Sequence, residues 1–392
     1  MANLETMTIN MGPQHPSTHG VLQLVLELDG EIVKKAVPHI GFLHRGVEKL
    51  SEHRTYHQTI PLTDRLDYLA PMSNNLGYVL AVEKLLGITD AIPERAQRIR
   101  VIMTELTRLK SHLVWLATHA LDIGAMTVFL YCFREREEII DIYEKVSGAR
   151  MTSNYFRVGG LSADFPAGLE KEIRSFIDAM PGHVDTYEGL LTGNKIWQKR
   201  TIGVGRISAE AAIDIGLTGP ALRASGVDWD LRRDNPYSGY EKYDFRVVTA
   251  EEGDVFARYK ARLDEMRESC KIIRQALDAL QPGPILADAP KICLPAKKNV
   301  VNTIEGLIHH FKIVTEGFKP EVGEVYQGIE APKGELGYYL VSDGSAHPYR
   351  MKIRPPSFVN LQALPQMVEG SLLADVIAVI GTLDIVLGEI DR

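Results

Sequence analysis

Apolar positions recur with period two near the start of the chain and with the helical period through its middle. Met7-Thr8-Ile9-Asn10-Met11 alternates, and residues 21–37, VLQLVLELDGEIVKKAV, hold two apolar runs around Asp29-Gly30. Asp-Gly between such runs marks a two-residue hairpin turn, so the chain is expected to open with antiparallel strands. From about residue 63 the period changes. Ile99, Ile102, Leu106, Leu109, Leu113 and Leu116 follow at spacings of three and four, the stripe of a long amphipathic helix with Pro93 at its start. A second helix is expected from Met126 to a stop at Gly148. Val255, Tyr259, Met266, Cys270, Ile273, Leu277 and Leu280 mark a third, ending at Gln281-Pro282-Gly283-Pro284 and expected to pack along the first two. Residues 324–354 return to short strands with glycine turns, and the last stretch, 373–392, reads as one buried helix. The expected fold class is α+β, a central bundle of long helices flanked by small antiparallel sheets. One domain with three lobes is expected: an N-terminal β lobe over 1–62, a helical core over 63–322, and strands with the buried helix over 323–392.

Composition narrows the function classes. The 392 residues are 45% hydrophobic and 24% charged, enough for a large core. A formal charge of -7 without a Lys/Arg cluster argues against nucleic acid as a partner. The three cysteines, Cys132, Cys270 and Cys293, lie far apart, so neither a disulfide framework nor a cysteine-ligated cluster is expected within the chain. The opening MANLETMTIN lacks the basic-then-apolar pattern of a secretory address. Two apolar stretches, 113–133 and 372–387, carry His119 with Asp122 and Asp375 with Asp384. Those charges are costly in hydrocarbon, so both stretches are expected to be buried helices and not membrane spans.

The candidate chemistry begins at residues 12–20, GPQHPSTHG, in the connection between the first two strands. His15 and His19 have the i, i+4 spacing of a helical two-histidine metal site. Gly12, Pro13, Pro16 and Gly20 cut such a helix at both ends and in the middle, and no glutamate stands beside the first histidine. Three readings stay open: a loop metal site completed by distant carboxylates, a tight loop capped by its own histidines, or an imidazole on a rigid loop that moves protons near neutral pH.

Taken with HIGFLHRGVEKL (39–50), DRLDY (64–68), HALDIGAM (119–126), SGARM (147–151), LIHHFK (307–312), EAPKGELGYYLVSDGS (330–345) and LADVIAVIGTLDIVLGEIDR (373–392), this stretch resembles the 49-kDa, or D-type, subunit family of respiratory complex I, the proton-pumping NADH:quinone oxidoreductase. The resemblance runs from about residue 8 to the end. That family is similar to the large subunit of nickel-iron hydrogenases, which implies the same fold. Residues 65–70 (RLDYLA) and 384–389 (DIVLGE) stand where the hydrogenases carry two C-x-x-C metal-binding pairs. Nickel needs those thiolates, so hydrogenase chemistry is excluded on ligand grounds and no metal is expected.

The resemblance implies a quinone as substrate, no cofactor held by this chain alone, and electrons from the terminal 4Fe-4S cluster of an adjacent B-type subunit. It also implies a C-type neighbour, a membrane-arm subunit at the mouth of the quinone channel, and a peripheral position on the cytoplasmic side of the cell membrane. His19 and Tyr68 match the family's ligands to the quinone carbonyls, Asp122 its partner to the histidine, favouring imidazolium, and Val386 a wall of the quinone pocket. Arg45 and Arg65 match arginines near the cluster, where fixed positive charge raises its reduction potential. By their own surroundings the same residues read differently. Tyr68 sits between Leu66 and Leu69 like a core tyrosine, Asp122 sits where a helix cap belongs, and Arg45 and Arg65 have Glu48, Asp64 and Asp67 within reach as ion-pair partners. One departure stands out: Thr152 occupies a position where relatives carry a histidine thought to link cluster reduction to proton uptake, and threonine cannot titrate. Competing readings are a scaffold subunit without a catalytic role, the equivalent subunit of a ferredoxin- or deazaflavin-dependent relative, and a His/carboxylate metalloenzyme.

Overall fold

The alternating N-terminal segments pair as the pattern predicts. β1 (Met7–Met11), β2 (Gln23–Asp29) and β3 (Ile32–His39) form an antiparallel sheet in that order. Gly30 turns the hairpin at φ 62°, a left-handed conformation that costs glycine little. Leu24, Leu26 and Leu28 all point into the core from one face of β2. The computed structural model describes residues 6–392.

Two short helices, α1 (Val47–Ser51) and α2 (Tyr56–Thr63), lead to α3 (Pro71–Leu85) and to the 29-residue α4 (Glu94–Asp122). Pro93 caps α4, one residue before the helix begins. The expected stripe from Ile99 to Leu116 is fully buried, but so is the opposite face. α4 is therefore a central helix, not a surface amphipathic one. Its polar side tolerates burial because ion partners meet it: Arg100 with Glu83 at 2.6 Å, Glu105 with Arg232 at 3.2 Å, and His112 with Glu265 at 2.9 Å.

α5 (Met126–Ser147) runs back along α4 and stops at Gly148, φ 75°. A two-residue hairpin, β4 (Phe156–Arg157) and β5 (Gly160–Leu161), precedes α6 (Leu169–Leu191). α7 (Val255–Asp278) packs against α4 and α6 rather than lying along both α4 and α5. The helix that displaces it, α6, has a regular apolar stripe, Leu169, Ile173, Phe176, Ile177, Met180, Val184, Tyr187 and Leu191, but Pro181 and Gly182 interrupt the sequence inside it. α8 (Ile304–Thr315) lies on the outside, with Ile304, Leu307 and Phe311 exposed.

β6 (Gly323–Ala331), β7 (Gly334–Ser342) and β8 (Arg350–Arg354) form the second antiparallel sheet, which packs on α3. The final segment is two helices and not one: α9 (Leu373–Leu383) and α10 (Leu387–Asp391). The break is Asp384, held in a left-handed conformation at φ 54°. Leu22, Leu24 and Leu26 beneath the first sheet share a hydrophobic core with Val376, Val379 and Ile380 of α9. The 113–133 stretch is the end of α4, a turn, and the start of α5, where Met126 and Leu130 are exposed instead of buried. Among the described residues no helix is long and apolar enough to cross a membrane. The α+β class expected from the pattern is the class found.

Candidate functional site

GPQHPSTHG folds as a single turn of 3-10 helix, Pro16–Thr18, between β1 and β2 and against α9. His15 caps its start: Ser17 N donates to His15 Nδ1 at 3.2 Å, and Thr18 N and Oγ1 both donate to His15 O, at 3.1 and 2.9 Å. His19 ends the turn in the left-handed region, φ 53°. Its Nε2 is buried and, among the described residues, has no hydrogen-bond partner. Burial and the nearby Lys333 ammonium push the His19 imidazole down to about 4. A second histidine, His119 on α4, feels the charge of His19 and is pushed down to about 3 by its own burial, with Arg262, His19 and Arg258 adding to the effect. Both imidazoles are neutral at physiological pH.

The two segments that stand in place of sulfur ligands meet face to face. A Cβ added at Gly388 would fall 2.6 Å from the carbonyl oxygen of Leu66 and 3.0 Å from that of Arg65, so only glycine allows the approach. Between the segments lies Lys333, from the tight turn joining β6 to β7 and 1% exposed. Its ammonium contacts Asp67 Oδ2 at 2.9 Å, donates to Ser111 Oγ at 3.0 Å, and lies 3.7 Å from Asp384 Oδ2. Three carboxyls thus crowd one ammonium, since Glu389 also feels Asp67 and Lys333. Burial, opposed by Lys333, leaves Asp384 raised to about 6. Burial and the Asp67 charge push Glu389 up to about 8. The two segments thus meet around a buried ionic cluster centred on Lys333.

Tyr68 follows Asp67 directly and is 36% exposed, so it is no core tyrosine. Its hydroxyl makes no hydrogen bond among the described residues, and burial with the Asp67 charge raises its pKa above the ordinary phenol value. Lys333 acts on both Tyr68 and His19. Asp122, the last residue of α4, is raised to about 6 by burial, with His15 as its one opposing charge. Arg45 donates to the Arg65 carbonyl, and Arg65 Nη1 donates to Pro61 O at 2.6 Å. Val386 is buried at the head of α10, its N–H donating to Ser357 Oγ at 3.2 Å. A cavity of about 740 Å³ between α3 and α8 is lined by residues such as Leu86, Ile313 and Phe318, and by none of these groups. Among the described residues no group of three or more histidine, cysteine, aspartate or glutamate side chains is arranged to hold a metal ion.

Residues 122–392 match the model of the respiratory-chain NADH dehydrogenase 49 Kd subunit family. The chain belongs to that family. It is 77% identical to the D-type NADH-quinone oxidoreductase subunit of Geotalea uraniireducens and 74% identical to that of Geobacter sulfurreducens, each over all 392 residues and the whole of the relative. It is 60% identical to a D-type subunit of Solibacter usitatus over 98% of this chain and 94% of that one. A member of the 49 Kd family is part of the complex I oxidoreductase, so other subunits of that complex are its partners.

The contacts of several of these residues differ from the residue-level expectations. Asp122 makes no hydrogen bond to His19 among the described residues, and the one opposing charge acting on it is that of His15. The imidazolium expected on His19 is disfavoured, since burial and Lys333 outweigh a carboxylate that is not in contact. Asp122 caps nothing either: the N-cap residue of α5 is Ala125, and the helix starts without a side-chain cap. Among the described residues Arg45 and Arg65 form no ion pair with Glu48, Asp64 or Asp67; both are exposed and bonded to backbone carbonyls. Lys333 was missed altogether. Its signal was a lysine in the apolar run of EAPKGELGYYLV, where a buried charge demands a buried partner.

Proposed function

We propose that this chain carries the quinone-binding half of a proton-pumping NADH:quinone oxidoreductase, on the cytoplasmic face of the cell membrane. Adjacent subunits of B and C type and a membrane-arm subunit form the remaining walls, and the terminal 4Fe-4S cluster of the B-type neighbour supplies the electrons. The single observation that carries the reading is the pair of unpartnered donors, the buried Nε2 edge of His19 and the free hydroxyl of Tyr68, both in the field of Lys333. A quinone has two carbonyl oxygens on opposite sides of one ring, which fits two separated donors. Val386 supports the apolar wall, and Arg45 and Arg65 offer exposed positive charge to the neighbouring cluster.

Reduction of a quinone to a quinol takes two electrons and two protons, one proton forming an O–H bond at each oxygen. A phenol whose pKa is raised by burial keeps its proton until charge develops on the quinone oxygen, then donates it and is left as phenolate. At the other oxygen the neutral His19 imidazole donates its Nε2–H hydrogen bond; as charge grows the Nε2–H bond breaks, the second O–H bond forms, and the ring takes a proton from solvent at Nδ1. Removing either donor is expected to lower kcat for quinone by about 100-fold or more, the cost of losing one donor to a developing oxyanion. Tyr68→Phe and His19→Ala, made in the whole complex, test this. Intact assembly with lost quinone reduction supports the proposal; unchanged turnover favours a scaffold.

A further inference from the structure

Behind the Lys333 cluster lies a second pair of titratable groups that the proposed mechanism does not use. Lys110, on the buried face of α4, is 1% exposed. Its ammonium stands 4.3 Å from the centre of the Tyr143 ring of α5 and, among the described residues, makes no hydrogen bond or ion pair. The charged groups facing it are Asp64 and Asp67 from the end of α2 and the segment after it, Arg136 from α5, and Lys333 from the β6–β7 turn. Tyr143 adds only its ring, because its hydroxyl is bonded to Thr107.

Asp64 is the mirror case. It ends α2, is 1% exposed, and neither carboxylate oxygen is satisfied among the described residues. Around it stand Asn75 of α3, the backbone of Asn154, and the guanidiniums of Arg65 and Arg157, with Tyr143 and Tyr338 sensing its charge from the other side. Asn75 is already committed to Thr63 Oγ1 at 2.9 Å and to Ile60 O.

A buried ammonium and a buried carboxylate with no ion pair among the described residues are poor holders of fixed charge; each readily gives up or takes a proton. Burial pushes Lys110 down to about 7, with Arg136 adding to it, and Asp64 up to about 6. The ionised and neutral forms of the pair therefore lie close in free energy near neutral pH. Ser111, the next residue on α4, accepts from Lys333, and Lys333 holds Asp67 beside Tyr68.

We infer that Lys110 and Asp64 form an internal proton reserve behind the quinone site, returning a proton to Tyr68 through the Asp67 carboxylate. The inference rests on the role given to Tyr68 above. After Tyr68 has donated its O–H proton, an N–H bond of the Lys110 ammonium breaks, an O–H bond forms on Asp67, and that proton passes to the Tyr68 phenolate. Lys110 is left as a neutral amine with its lone pair, and the Asp64 carboxyl recharges it. Lys110 and Asp64 act through Asp67 and touch no substrate, so they are positioning and proton-supplying residues.

The test is made in the assembled complex with a water-soluble quinone and, as a control on the upstream electron path, an artificial acceptor that bypasses the quinone site. In Lys110→Met the artificial-acceptor rate and the quinone KM stay as in the parent. Its kcat for quinone falls about tenfold or more, the lower end of what positioned proton transfer contributes, and the kcat profile loses its step near pH 7. Lys110→Arg keeps the charge and cannot release a proton, so it is expected to be as slow as Lys110→Met. Parent turnover and pH profile in Lys110→Arg would mean that the residue serves packing alone, and the inference falls. Should Lys110→Met not assemble, Asp64→Asn takes its place: a displaced step supports the pair, and an unmoved one overturns it. Failure of the site reading is separate, seen as parent turnover in Tyr68→Phe with Lys110 intact.

Discussion

At the scale of single residues, burial lifts the Asp384 and Glu389 carboxyls above the ordinary carboxylate range. Glu389 is the sharpest case. Its carboxyl is pushed up to about 8 by burial and by Asp67, while the same group in an unfolded chain titrates at an ordinary value of about 4.3. The folded state thus holds a proton that the unfolded state releases. Its contribution to stability is fully present below the unfolded pKa and is lost as pH rises through about 8. Glu389→Gln keeps the size and the hydrogen-bonding oxygen for Ser357 N, now 3.0 Å away, and removes the titration. The variant is expected to lose less melting temperature than the parent between pH 6 and pH 9, by about 2 °C or more, which scanning calorimetry across that range reads directly. Equal slopes for the two proteins would show that the carboxyl is ionised throughout.

At the scale of elements, the site depends on a backbone contact that no side chain makes. α10 can approach the 65–70 segment only because residue 388 has no Cβ, and Arg45 donates to the Arg65 carbonyl beside that approach. Gly388→Ala is expected to cost about 1–3 kcal/mol of stability by overpacking and to lower quinone turnover, because the displaced segment carries Tyr68. Gly189→Ala, on α6 with open space around the position, serves as the control and is expected to stabilise by about 0.5–1 kcal/mol. Melting curves and turnover of both variants decide the point. The elements were legible where periodicity was clean: the Asp29-Gly30 hairpin, α4, α5 and the strands after 323 all form where the pattern put them. α6 was hidden by Pro181 and Gly182, and the final helix is broken because Asp384 adopts a left-handed conformation that periodicity does not encode. The family's motifs located His19, Tyr68 and the 65–70 and 384–389 segments. They did not disclose the orphaned Nε2, the absence of a hydrogen bond between Asp122 and His19 among the described residues, or the lysine between the segments, because those follow from burial and long-range contact.

At the scale of the whole molecule, the helices are joined by charge as much as by apolar packing. Arg223 contacts Glu265 of α7 at 2.6 Å and Glu330 of β6 at 2.7 Å, while Arg232 ties Asp230 at 2.6 Å to Glu105 of α4 at 3.2 Å. His112 closes the network onto Glu265, and every member is buried. Burial and the Arg232 charge act on Asp230 in opposite directions, and the arginines win, holding it down to about 2. Such a network adds little net stability over an apolar core, but removing one member leaves its partners charged and dry. Arg223→Met is therefore expected to destabilise the chain by about 3–5 kcal/mol, because Glu265 and Glu330 lose their common cation. Arg174→Ala, which breaks an exposed pair with Asp278, should cost under about 1 kcal/mol. Adding Glu330→Gln to Arg223→Met removes one of the two stranded charges and should recover part of the loss, so the double variant melts above the single one. If the double variant instead melts lower by the sum of the two separate losses, the network is a set of independent contacts and the helices are held by apolar packing alone.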